Sequence, residues 1–289
     1  MNKTKLASHL ASAASKFRHV AFLLLAASAP VAAQPEPEFF DRPYVYGQWE
    51  IGRKTDESKL RYCVDPRDGE WQVAAAIGEA IANTLLLEPV EIVVQSDFEI
   101  EDITRVYSYL LEHCSLYMGF KLLPEGYDPW SMPTRGFYDA KYAYVTVDPS
   151  LNSLQDLAPK QIIGAALGST AHVRLANYNN AQSVDRRWRI FPIGTNLLAL
   201  DSVLSGSVDV GLVWEPALWA LQQSDEKYSG LKILSSAPLP ETTLPVGALM
   251  LSNETFLRNS IDEAIVALVS DGTIDAILAE FNFPGQGSR

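Results

Sequence analysis

From residue 60 onward, apolar residues fall into short runs that alternate with stretches of helical spacing. Residues 60–65 (LRYCVD) read as a buried strand, and 66–69 turn the chain. Residues 71–87 set Val73, Ile77, Ile81 and Leu85 four apart, on one helical face. A second strand is expected at 90–95. A helix at 100–112 follows, with Ile103, Val106, Tyr107, Leu110 and Leu111 on one side, and then a third strand at 116–120. Such a β-α-β-α-β order opens a doubly wound lobe. After it the chain runs through a loop rich in Gly, Pro, Asp and Trp and leaves by YAYVTV, 142–147, aromatic and β-branched like a strand. Ligands of open α/β sheets sit beyond the carboxyl ends of the strands, so this stretch is where a site is expected, although a plain connecting loop has the same composition.

The pattern then restarts. A short helix around Leu154 and Leu157 precedes the strand QIIGAAL at 161–167, and Gly168-Ser169-Thr170 opens a helix running to 177. A strand at 189–191 and a helix from Gly194-Thr195-Asn196 to 204 come next. VDVGLVW, 208–214, is an apolar strand, and Glu215-Pro216 begin the following helix, Pro being suited to a first turn. The last strand of this half is expected at 231–235 and a second crossing strand at 244–251, before amphipathic helices at 256–269 and 274–283. No fixed period repeats, which excludes a solenoid.

With 289 residues, 47% hydrophobic and 20% charged, the chain suits one large or two ordinary globular domains. Residues 1–33 hold Lys3, Lys5, Lys16 and Arg18, no acid, and an apolar run ending Val31-Ala32-Ala33. This reads as a secretory signal peptide cut before Gln34, the rival being an uncleaved anchor. The run is too short to span a bilayer, and no Cys follows the cut to carry a lipid. Cleavage removes only bases and deepens a net charge of −12, which argues against nucleic acid or anionic lipid as partners. Residues 34–58 are rich in Pro and Glu and then in aromatics (Phe39, Phe40, Tyr44, Tyr46, Trp49), an extended arm that packs in cis or meets a partner. Cys63 and Cys114 are the only cysteines. Export permits a disulfide, but whether their Cα atoms come within about 7 Å is open.

CSLYMGF followed by EGYDPWSMPTRGFYDAKYAYV resembles a segment of family 3 extracellular solute-binding proteins. The likeness is to the subgroup that accompanies quinoprotein (PQQ-dependent, methanol-type) alcohol dehydrogenases. Gly126, Tyr127, Asp128, Thr134, Arg135, Tyr138 and Tyr142 keep the subgroup's order, while Ser115 replaces its Asp and Gly136 its Pro. IDAILAEFNFPG resembles the family's closing helix. The resemblance covers about 60–284 and implies an α/β, type II periplasmic binding protein fold: two doubly wound lobes joined by two crossing strands. The implied division is 1–33 signal peptide, 34–58 arm, 59–144 plus 245–289 lobe 1, and 145–244 lobe 2. Hinges are expected at 145–148 and 244–247.

The candidate ligand-binding cleft comprises Asp65, Trp71, Gly119, Phe120, Trp130, Thr134, Arg135, Tyr138, Ser169, Thr170, Trp214 and Glu215. Ser169 and Thr170 stand at a strand-to-helix junction, where free N–H groups and hydroxyls receive an anion or simply cap the helix. Trp71 and Trp130 stack on a ligand or fill space. Amino-acid receptors of the family place an Arg well before a Phe-Ser-x-Pro-Tyr stretch, and Arg135 lies too close to Phe137 and Tyr138 for that position. Where they place an Asp for the ligand's ammonium, this chain has Trp214; Trp-x-Pro matches the subgroup, and Glu215 departs from it.

Signatures of catalysis are scarce. Beyond residue 33 the histidines are His113 and His172, far apart and without a Cys pair, so no zinc site is expected. No nucleophile elbow, dinucleotide fingerprint or phosphate loop is present, and no cofactor is expected. The leading expectation is a periplasmic accessory protein that binds a quinoprotein dehydrogenase, its cytochrome c or a related small-molecule ligand. The alternatives are an importer's receptor for a small polar solute, and a dehydratase-like enzyme with Asp65 and Glu215 facing each other as acid and base.

Overall fold

The computed structural model describes residues 56–95, 103–167 and 169–288. The expected signal peptide, the expected arm up to residue 55, the first turn expected at 100–102 and Gly168 lie outside these.

Lys59–Val64 (β1), Trp71–Thr84 (α1), Glu88–Val93 (β2), Ile103–Glu112 (α2) and Leu116–Lys121 (β3) form the expected βαβαβ unit. β1 lies between β2 and β3, parallel to both. In α1 the Val73, Ile77 and Ile81 stripe is buried. The helix ends three residues before the expected 87. Leu86 turns left-handed (φ 58) and Leu87 N donates to Ala82 O at 2.9 Å, a Schellman-type closure that the apolar periodicity does not reveal.

After β3 the expected mouth loop contains a short strand, β4 (Ser131–Pro133), which pairs with a strand distant in sequence. β5 (Tyr138–Thr146) starts four residues before the expected strand. The second half follows with β6 (Ile162–Ala166), α3 (Thr170–Ala181), β7 (Arg189–Ile193), α4 (Asn196–Leu204), β8 (Val210–Trp214), α5 (Glu215–Ser224) and β9 (Lys232–Leu234). β10 (Thr243–Leu251), α6 (Thr255–Ser270), α7 (Thr273–Glu280) and the short β11 (Gln286–Gly287) complete the chain.

The strands run in the order β2-β1-β3-β10-β5-β8-β6-β7, with β4 beside β10, and β9 and β11 beside β5. β5 belongs to both halves: Tyr138 to Lys141 pair with β10, and Tyr142 to Val145 pair with β8. The parallel strands β1, β2 and β3 lie on one side of this seam and β6, β7 and β8 on the other.

Each half is covered on both faces. In the first, Leu60, Tyr62 and Val64 pack with Ile77, Ile81, Ile261, Ile265, Ile274 and Leu278 from α1, α6 and α7. On its other face Cys63, Val106, Leu110, Cys114 and Tyr117 form a smaller core under α2. In the second half Ile163, Leu175 and Leu212 pack on the α3 side, and Val145, Leu200, Val203 and Leu218 on the α4 and α5 side. Burial on both faces explains why β8 reads as a continuous apolar run.

Cys63 and Cys114 are joined, with their Cα atoms 5.7 Å apart, because β1 and β3 are direct neighbours. The bond spans a separation of 51 residues. On the chain-entropy model such a loop is worth about 4 kcal/mol. We expect the Cys63→Ala/Cys114→Ala double variant to lose roughly that much in urea unfolding, and a loss below about 1 kcal/mol would show that the bond adds little.

Candidate functional site

Glu70, beyond β1, and Lys121, at the end of β3, meet Trp214 at the end of β8, and Ser169, beyond β6, reaches Tyr142 beside the Trp214 ring; each of β1, β6 and β8 leads within a few residues into a helix. Side chains at these ends are therefore brought together from two independently wound lobes. This is the place where ligands of open α/β sheets sit.

On the first wall, Asp65 leaves β1 and is 4% exposed. Its carboxylate accepts from Arg67 N at 3.0 Å, from Arg67 Nε at 2.9 Å and from the Tyr117 hydroxyl at 3.0 Å, and it forms an ion pair with Arg67 Nη2. Burial alone would push this carboxyl up, but the Arg67 side chain and N–H and the Tyr117 hydroxyl outweigh it and hold the group below the ordinary Asp value. Glu70 stands at the N-cap of α1, where a polar side chain usually accepts from the helix's own N–H groups, yet it makes no capping bond. Glu70 is 3% exposed and its carboxylate points to the other lobe.

There it meets Trp214, the last residue of β8 and the N-cap of α5. The indole Nε1 donates to Glu70 Oε1 at 2.9 Å in a fully buried bond. Although β8 belongs to the second half, the Trp214 ring packs in the core of the first, and the residue is 1% exposed. Tyr142 meets the ring edge-on at 5.0 Å between centroids, and Lys121 Nζ lies 5.2 Å from its centroid. Trp214 N donates to Asn196 Oδ1 at 3.1 Å, tying the end of β8 to the start of α4.

On the second wall Ser169 caps α3, its hydroxyl accepting from His172 N at 3.1 Å, and Thr170 opens that helix. Burial raises the Tyr142 phenol, while Lys121 and a hydrogen bond with Ser169 pull it back. Arg174 Nη1 donates to Thr242 Oγ1 at 3.3 Å. Glu215 is buried at the start of α5 with Oε2 unpartnered among the described residues. Burial raises its carboxyl above the ordinary Glu value, partly offset by Lys141 and reinforced by Glu241.

The expected residues thus separate. Asp65, Gly119, Ser169, Thr170, Trp214 and Glu215 stand at or beside carboxyl ends of strands or on helix first turns. Tyr138 is fully buried with its hydroxyl unpartnered among the described residues, and burial, then Glu70 and Asp68, hold it well above the ordinary Tyr value. Trp71 packs against the first core. Trp130 packs against Tyr107 with ring centroids 4.6 Å apart and planes tilted by 49°, and both it and Phe120 lie on the disulfide side. Thr134 is buried, its hydroxyl donating to Arg135 O and accepting from Ala248 N at 2.9 Å. Arg135 lines a separate pocket of about 570 Å³ with Val269, Gly272 and Asp275. Asp65 and Glu215 answer to different neighbours, Arg67 and Tyr117 against Lys141 and Glu241.

Sequence reasoning missed Glu70, Lys121, Asn196 and the α5 contact with Gly69. A Cβ on Gly69 would lie 2.5 Å from Ala220 Cβ. The only local signal was Glu70 at a helix start; its partner is 144 residues away.

Asp65 has its pKa depressed in the fold, so its contribution is present above the unfolded value and lost as pH falls through the folded one. We expect Asp65→Asn to cost about 2 kcal/mol near neutral pH and much less at acid pH. Thermal unfolding of both proteins from pH 7 down to about 2, well below the ordinary carboxylate pKa of about 4, checks this; a pH-independent difference would contradict it.

Among the described residues no helix is long and apolar enough to cross a membrane. No protein-family model matches the chain. Over 136 residues it is 23% identical to the amino-acid-binding protein AabA of Dichelobacter nodosus, covering 47% of this chain and 51% of that protein, so the match spans about half of the curated relative's length. An ancestral arginine-binding protein bound to arginine superposes with a TM-score of 0.53 at 20% identity, over 78% of this chain and 98% of that one. An arginine 3rd transport system periplasmic binding protein from Legionella pneumophila gives 0.55 at 14% identity, over 77% of this chain and 99% of that one. The fold of this chain is that of the two-lobed, type II periplasmic binding proteins.

Proposed function

We propose that this chain is an exported solute-binding protein that takes a small polar solute between its lobes and serves as the receptor of an importer. The observation that carries the reading is the convergence of strand ends and helix starts from two lobes on one polar junction. Ser169, Thr170, Tyr142, Lys121 and Arg174 supply donors and positive charge near it. The likeness to an amino-acid-binding protein and to arginine-binding structures favours a solute of amino-acid size. The lobes would comprise 59–144 plus 245–289 and 145–244, and the apolar leader at 1–33 would direct the chain to the periplasm.

A second reading is the accessory protein of a quinoprotein alcohol dehydrogenase, binding the enzyme or its cytochrome c. It rests on the motif around residues 114–142 and is favoured by one structural observation: a side chain of the protein itself, Trp214, is buried at the junction and bonded to Glu70. A catalytic role has weaker support, because Asp65 is engaged by Arg67 and Tyr117 rather than held ready for proton transfer.

Calorimetry of residues 34–289 against basic, acidic and neutral amino acids and small carboxylates should give one saturable isotherm. A pull-down from the native periplasm should recover a membrane permease. No isotherm, together with recovery of a quinoprotein dehydrogenase or a c-type cytochrome, would reverse the order of the two readings.

A further inference from the structure

Three features bind α5 of the second lobe to the first. Trp214, at its N-cap, is buried in the first lobe's core and donates to Glu70. Ala217 and Trp219 pack against the same core, and the Trp219 ring meets Phe283 edge-on at 5.2 Å. Ala220 lies so close to Gly69 that no Cβ fits between them. All of these contacts are made by the protein's own side chains, and the carboxylate of Glu70 is spent on the indole instead of on its helix cap.

We propose that Trp214 is an internal latch: its indole, seated in the first lobe and hydrogen-bonded to Glu70, holds the two lobes together through the protein's own side chains. A solute or partner that opens the cleft must first displace the ring. The physical argument concerns which alternative the buried groups have. Withdrawing Trp214 exposes a large apolar ring and leaves Glu70 to find water, and Lys121 loses the ring face it rests on. The latch makes closure intrinsic and lowers apparent affinity for any solute that needs the open cleft. This inference rests on the solute-binding reading, since it regulates the same cleft, but it is measured on solute-free protein and so stands or falls separately.

The test uses solute-free residues 34–289. In wild type the indole N–H of Trp214, assigned by its loss in Trp214→Phe, should exchange with solvent about 100-fold more slowly than an exposed indole. Glu70→Ala should abolish most of that protection. Trp214→Ala should raise the radius of gyration measured by X-ray scattering. Because that variant removes a core residue, Gly69→Ala provides an independent wedge: its Cβ meets Ala220 and takes nothing from either core. A larger radius with unchanged circular dichroism in Gly69→Ala supports the latch. An unprotected Trp214 N–H in wild type, or a wild-type radius in folded Gly69→Ala, overturns it. Calorimetric failure to bind any solute would instead count against the receptor reading and leave these outcomes as they are.

Discussion

A buried hydrogen bond between the Trp214 indole and the Glu70 carboxylate ties the two lobes across their junction. Its donor residue precedes one helix and its acceptor residue another, so the bond couples the start of α5 to the start of α1. Neither group has a cheap substitute. A buried carboxylate needs a donor, and a buried indole N–H needs an acceptor, or each bears a desolvation cost of about 1–3 kcal/mol or more. The apolar body of the ring adds burial in a core built by the other lobe. An N–H that finds its acceptor only across the junction makes this arrangement of the lobes specific as well as favourable.

The surrounding architecture allows such a bond because the lobes share strands. β5 pairs with β10 through Lys141 and with β8 from Tyr142 onward, so a change of partner between adjacent residues carries the chain from one sheet to the other. Tyr142 sits opposite Trp214 in that register, which sets its ring against the indole. Glu70 is placed from the opposite direction, by the tight turn after β1 in which Asp65 gathers Arg67 and Tyr117. The disulfide fastens β1 to the segment before β3 and so stiffens the wall that holds Glu70.

Two acids that look alike in the sequence behave in opposite ways here. Asp65 has cationic and hydroxyl partners that outweigh its burial, and its charge is stabilised. Glu215 is buried with one oxygen unpartnered, and its charge is disfavoured. The difference lies in what the neighbouring turn supplies: Arg67 is two residues from Asp65, whereas the charged neighbours of Glu215, Lys141 and Glu241, come from other elements.

Alternation of short apolar runs with helical stripes was enough to locate nearly every strand and helix, because these elements bury one or both faces and their periodicity is local. The stripe of Val73, Ile77 and Ile81 and the apolar run of β8 are examples. The motif around Tyr138 and Tyr142 pointed to the type of fold by its resemblance to solute-binding proteins, not by its periodicity. β4, the early start of β5 and the end of α1 escaped notice, since the first two are made by pairing with β10 and the last by one left-handed residue. Trp214, at the end of an apolar strand, was singled out because the resemblance places a ligand-binding residue at its position; that its ring lies in the other lobe was not legible. Pairings such as Trp214 with Glu70 join residues 144 apart, and only the tertiary fold decides them, because no local period records which distant carboxylate will lie beneath an indole once two sheets have met along a shared strand.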